Sequence, residues 1–136
     1  MISLKGKRIF YIEDNLQNRA LVQLMLERYG ATISFERWGG DDLLPRLEAF
    51  LPIDLILLDL MFPNHVSGYD IFDRIRERPA FAEIPIVAIS AADPAVEMSK
   101  ARAKGFSGFI GKPINLLQFP QQIAQLLEGE QVWYAL

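Results

Sequence analysis

The chain of 136 residues contains no cysteine. Disulfides, thiolate catalysis and cysteine-ligated metal sites are excluded, and the composition fits a reducing compartment. The single histidine, His65, falls in a loop, where a lone imidazole is an exposed polar group before it is a ligand. No apolar run approaches the roughly 18 residues of a membrane span; the longest, Ile53 to Phe62, is interrupted by Asp54 and Asp59. The basic start, Met1 to Arg8, is not followed by a cleavable signal pattern, so a cytoplasmic protein without membrane insertion is expected. Neither sign of charge dominates. The formal net charge is −3, without the basic footprint of a nucleic-acid binder, and no direct nucleic-acid contact is expected. There is no repeat, linker or low-complexity tract. Neither glycine-rich phosphate-loop pattern follows the first strand, which disfavours a dinucleotide or nucleotide enzyme.

What is present is the composition of one globular domain: 51% hydrophobic and 23% charged residues, in a chain near the roughly 150 residues typical of a domain. Apolar periodicity alternates between strand and helix throughout, the pattern of a parallel sheet covered on both faces. Strands are expected at 8–12, 31–35, 54–58, 85–89 and 108–110. The run Asp54 to Leu58 lacks polar alternation, as a central strand buried on both sides does. A helix is expected over 16–29, with Leu16, Ala20 and Leu24 and with Leu21 and Met25 recurring at helical spacing, closed by Gly30. A second helix starts at Asp41 and is lined by Leu43, Leu44, Leu47 and Leu51. The third covers 68–78 with Ile71, Phe72 and Ile75 inward. The fourth, weakly amphipathic and expected to be mobile, opens at Asp93-Pro94 and ends at Gly105. Pro120 would clash inside a helix begun at Asn115, so the fifth runs over 119–127. Residues 1–128 are read as the domain and 129–136 as a C-terminal tail. Trp38, Trp133 and Tyr134 have no assigned place; the tail packs back, joins a dimer or frays.

Ligands of an open parallel sheet bind beyond the carboxyl ends of its strands. Those ends carry Glu13 and Asp14 after the first strand, Asp59 after the third, Ser90 after the fourth and Lys112 after the fifth. Topology gathers three carboxylates, a hydroxyl and an ammonium on one rim. Three negative charges against one positive charge repel unless a cation is bound, and hard oxygen donors suit Mg²⁺. Taken singly, each has a plainer reading. Asp59 is a loop carboxylate, Asp14 a helix cap, Lys112 a surface lysine, and Ser90 a small residue at a strand end. The five together outweigh these readings.

With these residues in place, the sequence resembles the receiver domain of two-component response regulators, as a single domain. The likeness runs from about Lys7 to Leu127 and rests on YIEDN (11–15), LLDLMFP (57–63), Gly68, AISA (88–91) and GKPI (111–114). It implies a flavodoxin-like, doubly wound α/β fold with five parallel strands in the order 2-1-3-4-5 and five helices. It implies a phosphorelay switch. Asp59 accepts a phosphoryl group from a sensor histidine kinase or histidine phosphotransfer protein, and Mg²⁺ is held by Glu13, Asp14, Asp59 and the backbone carbonyl of Met61. Lys112 pairs with the acceptor and then with a phosphoryl oxygen. Ser90 moves to that group, Phe109 changes rotamer with it, and the Lys112-Pro113 peptide is cis. Such a protein catalyses only its own phosphorylation and dephosphorylation.

Two departures follow. Gly68 falls nine residues after Asp59 rather than the usual eight, so the loop through Asn64, His65, Val66 and Ser67 is one residue longer. Met61 and Ala92 occupy the positions that tune hydrolysis of the acyl phosphate, and neither side chain can hydrogen-bond a water, so a long-lived phosphoryl state is expected. Too few residues follow the last helix for a further domain within this sequence; for a domain cut from a longer protein the output part lies outside it, and for a whole protein the output is expected to be a contact with a downstream protein. It would be made through the face of the fourth helix, fifth strand and fifth helix, with Met98, Lys100, Arg102, Phe106 and Phe109 as candidates. A second copy of the chain is among the partners this leaves open. Two other readings stand beside it: a receiver-like interaction module that works without phosphorylation, and a phosphatase of the haloacid dehalogenase type. The phosphatase would need a second Asp where Met61 stands.

Overall fold

Apolar strands separated by helices of opposite sidedness give a six-stranded, wholly parallel sheet in this computed structural model, which describes residues 2–37, 40–63 and 65–135. Trp38 and Asn64 lie outside the described residues. The strands are β1 (Arg8–Ile12), β2 (Thr32–Glu36), β3 (Leu55–Leu58), β4 (Ile86–Ser90), β5 (Gly108–Gly111) and β6 (Val132–Tyr134). The helices are α1 (Leu16–Glu27), α2 (Leu43–Phe50), α3 (Gly68–Arg76), α4 (Pro94–Lys104) and α5 (Phe119–Leu127), with a 3-10 turn at Pro79–Phe81 after α3. The sheet order is β2-β1-β3-β4-β5-β6.

Side chains alternate across each strand, which divides the core in two. Phe10, Ile12, Ile56, Leu58, Ile86, Ala88 and Phe109 meet Leu43 and Leu47 of α2, Ile71, Phe72 and Ile75 of α3, and Ala101 of α4. Ile9, Tyr11, Leu55, Leu57, Val87, Ile89 and Ile110 meet Val22 and Leu26 of α1 and Phe119, Ile123 and Leu126 of α5. All four residues of β3 are buried, as its unbroken apolar run predicts. Asp93 caps α4 through the Ala95 N–H, and Gly105 closes it at φ +108. The cap of α2 is Asp42 rather than Asp41, and Leu51 lies beyond the helix end.

Two expectations are corrected. First, α1 does not bury Leu16, Ala20 and Leu24: Leu16 is 71% and Leu24 70% exposed. Val22 and Leu26, one turn apart on the neighbouring stripe, face the sheet. The same stripe carries Asn18, whose side-chain amide is tied back to the end of β1, so burial of Val22 and Leu26 and this polar tie call for the same helix rotation. Second, the sheet has six strands, not five. After α5 the chain turns at Gly129 (φ +91) and lies along the outer edge of β5, pairing Gly108 with Val132, Phe109 with Trp133 and Ile110 with Tyr134. The absence of a side chain at Gly108 permits this approach, because a Cβ there would stand 2.2 Å from the Val132 carbonyl oxygen. The tail therefore packs back on the sheet, with Trp133 against the α2–α4 side and Tyr134 against the α1–α5 side.

Candidate functional site

The carboxyl ends of β1, β3, β4 and β5 converge as the sequence pattern implies. Glu13 follows β1, with its N–H donating to the Glu36 carbonyl at 2.9 Å, and the Asp59 N–H donates to the Ile12 carbonyl at 3.1 Å. These ladder bonds fix both acids at adjacent strand ends. Asp14 comes next in the chain, and the helix cap is Asn15, whose side chain accepts from the Asn18 N–H at 2.9 Å. The cap is thus supplied by its neighbour, and Asp14 remains with Glu13 and Asp59 as a group of three carboxylates. One oxygen from each lies within 4.8 Å of the others.

Lys112 enters from the end of β5, where its N–H donates to the Ser90 carbonyl at 2.8 Å. Its ammonium donates to Glu13 Oε1 at 2.6 Å and to Asp59 Oδ2 at 2.9 Å. Glu13 is wholly buried and Asp59 is 5% exposed, so this ion triad sits where charges interact strongly. Burial, with Glu13 alongside, pushes the Asp59 carboxyl up to about 7. Burial works against ionised Glu13 too, but Asp59 alongside and the hydrogen bonds from Lys112 and Asn18 prevail and hold it at about 2. Burial also works against the ammonium of Lys112, yet its hydrogen bond to Glu13 and the charge of Asp59 keep it above its ordinary value.

The other oxygen of Asp59, Oδ1, accepts from the Met61 N–H at 3.1 Å. The Met61 side chain is exposed. The longer loop after β3 is pinched by a bridge between Met61 and Ser67, and His65 lies in it, exposed, at φ +59. Gly68 closes the loop: a Cβ there would stand 2.3 Å from the Asp59 carbonyl oxygen, so the backbone comes this near only because the residue is glycine. Ser90 is buried, with its hydroxyl accepting from the Ala92 N–H at 3.0 Å. The Lys112-Pro113 peptide is cis. Phe109 is fully buried beside half-buried Trp133.

Two residues of this site were absent from the sequence reading. The Tyr11 hydroxyl donates to Glu13 Oε1 at 3.1 Å, and the Asn18 amide donates to the same oxygen at 2.9 Å. The strand period of two places Tyr11 on the side of Glu13; that parity was the available signal. The expected output face also changes. Phe106 and Phe109 are buried, and β5 is an interior strand. Lys100 and Arg102 remain exposed on α4, with the Arg102 guanidinium 4.4 Å from the Trp133 ring centre.

The groups are hard oxygen donors, a buried carboxylate oxygen with no partner (Glu13 Oε2), and an ammonium beside the acceptor. A buried charged oxygen without a donor is costly, and a divalent cation is the group that would satisfy it. The donor set therefore fits Mg²⁺. Fold and site together define a doubly wound α/β domain with an acidic pocket at the strand ends. A sequence profile of the response regulator receiver domain matches residues 9–124, and the chain belongs to that family, the receiver domains of two-component systems. It is 28% identical over 121 residues to the polar-differentiation response regulator DivK of Brucella anthropi, covering 89% of this chain and 96% of DivK. It spans about half the length of other curated relatives; it covers 52% of the phosphate regulon transcriptional regulatory protein PhoB of Rhizobium meliloti, at 29% identity over 88% of this chain. Among solved structures it superposes on the signal receiver domain of a DNA-binding response regulator from Colwellia psychrerythraea. There the TM-score is 0.77 and the identity 29%, over 90% of this chain and 99% of that one. The phosphorylated cyanobacterial phytochrome response regulator RcpA is similar at TM-score 0.70 and 27% identity, over 90% and 91% of the two chains. Among the described residues no helix is long and apolar enough to cross a membrane.

Proposed function

We propose that this receiver domain takes a phosphoryl group onto Asp59 from a phosphohistidine of a sensor kinase or histidine phosphotransfer protein, in the cytoplasm. The observation that carries the reading is the Lys112 ammonium bridging Asp59 Oδ2 and Glu13 Oε1, next to the unpartnered Glu13 Oε2. An Asp59 oxygen attacks phosphorus as the phosphorus–nitrogen bond of the donor breaks, and the leaving imidazole keeps the electron pair. Lys112 favours the ionised nucleophile and then meets the negative charge brought by the phosphoryl oxygens. The Met61 N–H holds Asp59 Oδ1 in one orientation. Ser90, whose hydroxyl rests on the Ala92 N–H, turns to the phosphoryl group. Glu13, Asp14, Asp59 and the Met61 carbonyl would hold Mg²⁺, which when bound supplies the positive charge that offsets carboxylates and phosphoryl group together. Most of the rate enhancement then comes from position and electrostatics. RcpA, a relative of similar fold, has been solved in a phosphorylated form, which supports the reading.

The output is a contact with a downstream protein on the side where α4, β5 and α5 meet, with β6 as its outermost strand. Phe109 is the residue that relays the change at Ser90 to that side, as a two-state element biased by new charge. The domain modifies itself alone and turns over no separate substrate.

The test is intact-mass spectrometry after incubation with acetyl phosphate, with and without Mg²⁺, beside Asp59→Asn. One phosphoryl adduct that needs Mg²⁺ and is absent from the variant supports the reading. No adduct with acetyl phosphate or with a competent phosphohistidine donor overturns it and leaves an interaction module that works without phosphorylation.

A further inference from the structure

Glu13 is held in an asymmetric way. Its Oε1 accepts three hydrogen bonds, from the Tyr11 hydroxyl at 3.1 Å, the Asn18 amide at 2.9 Å and the Lys112 ammonium at 2.6 Å. Its Oε2 is buried and accepts none. A carboxylate oxygen has two lone pairs, so one donor on Oε1 is in excess, and the donors gathered there turn the other oxygen away from them. Lys112 is the donor with a second interest, since it also reaches Asp59 Oδ2 at 2.9 Å.

Tyr11 and Asn18 are not placed there by packing alone. Tyr11 is wholly buried in the core between β1 and α1–α5, against the Phe35 ring. An aliphatic or phenyl side chain would fill that space as well; the hydroxyl is the part that packing does not require. Asn18 has its backbone fixed by the Asn15 cap while its side chain reaches back five residues to Glu13. One donor comes from the strand and one from the helix, so the carboxylate is clamped from two elements.

Resting on the receiver reading above, we infer that Tyr11 and Asn18 are positioning residues for Glu13. They keep Oε1 satisfied when Lys112 leaves it for the phosphoryl group, and they present Oε2 to the divalent cation. Without them, Lys112 would be the main donor to a buried carboxylate, and its departure would leave that carboxylate unpaired. Residues that orient a ligand by hydrogen bonding in this way change metal affinity by about 10–100-fold when removed.

The experiment is calorimetric titration of the unphosphorylated protein with Mg²⁺, comparing the wild type, Tyr11→Phe and Asn18→Ala, with thermal melts of all three. Asn18 is half-buried and outside the apolar core, so its variant serves even where the core substitution at Tyr11 reduces folding. Mg²⁺ binding weakened about tenfold in each folded variant is expected. Phosphorylation at saturating Mg²⁺ should also slow, since Lys112 is then retained by Glu13. Variants that bind Mg²⁺ within twofold of the wild type, whatever their melting temperature, would overturn the inference and leave Tyr11 and Asn18 with a structural role. A wild type that binds no Mg²⁺ would overturn both this inference and the metal reading on which it rests.

Discussion

Phe109 of β5 and Trp133 of β6 are register partners on adjacent parallel strands, and both side chains belong to the α2–α4 side of the sheet. Any outward movement of Phe109 therefore meets the indole first. The Arg102 guanidinium closes over the same indole from α4. The residue expected to relay the signal is in this way linked to the last strand and to the helix beside it.

The β5–β6 junction should be sensitive at Gly108. A methyl group there collides with the Val132 carbonyl, and backbone cannot yield as a flexible side chain can. Gly108→Ala is expected to lose about 1–3 kcal/mol of stability and to unpair β6. Trp133→Ala, which leaves the strand pairing intact, should cost a similar amount through lost apolar contact. Urea unfolding followed by circular dichroism gives both values, and hydrogen exchange of the β6 amides separates them. Protected β6 amides in Gly108→Ala would contradict the prediction.

The acceptor should destabilise the metal-free fold at neutral pH. Asp59 has its carboxyl raised from 3.8 to about 7, so the fold favours its neutral form. That contribution is full below about pH 4 and disappears as pH rises through about 7. Glu13 runs the other way, from 4.5 down to about 2, and its contribution is complete above pH 4.5 and lost only in strong acid. Between these limits the wild type should lose stability with rising pH relative to Asp59→Asn, and the variant should be the more stable protein at pH 7.5 without divalent cations. Melting temperatures of both proteins across pH 4.5–7.5 in a chelating buffer test this; parallel curves would defeat it.

Lys112 neutralises two carboxylates at once. Lys112→Met removes the cation and leaves Glu13 and Asp59 facing each other. Breaking such a buried pair costs about 3–5 kcal/mol, and part of that should return on adding Mg²⁺, which brings charge to the same carboxylates. The variant should also fail to accumulate the phosphoryl adduct. Denaturant midpoints with and without Mg²⁺ decide; an unchanged midpoint would show that the lysine is not the main counter-charge.

The acyl phosphate should persist. Met61 points its side chain into solvent and Ala92 offers only a methyl group, so neither can orient a water at phosphorus. Decay of the adduct is expected to take minutes or longer, and replacing Met61 with Asn or Ala92 with Glu should shorten it several-fold. Phosphate release after removal of donor measures both; loss of the wild-type adduct within seconds would refute the argument.

Much of the site was legible because a parallel α/β sheet collects the residues that follow its strands. Glu13, Asp14, Asp59, Ser90 and Lys112 needed only the strand assignments to be placed together. Tyr11 was hidden because a tyrosine inside RIFYI reads as core, and the core is where its ring lies; only its hydroxyl belongs to the site. Asn18 was hidden by the apolar pattern of α1, in which Leu16 and Leu24 made the stronger stripe. The helix instead turns Val22, Leu26 and Asn18 inward, and two leucines are left in solvent. Strand β6 is three residues long, too short for alternation to show, and its place depends on the missing side chain at Gly108. Phe106 and Phe109 were assigned to a surface, but Phe106 stacks on Phe72 of α3 and Phe109 lies beside β6.

The end of β6 also sets a lever. Ala135 follows the last paired residue directly, and its side chain lies 3.3 Å from where a Cβ on Gly111 would be, one residue before Lys112. Whatever is joined beyond it, a further domain or a purification tag, is anchored through a single residue to the strand that leads into the acceptor's counter-charge. A bulky group joined there would therefore stand against the edge of β5, close to the residue that carries the acceptor's counter-charge.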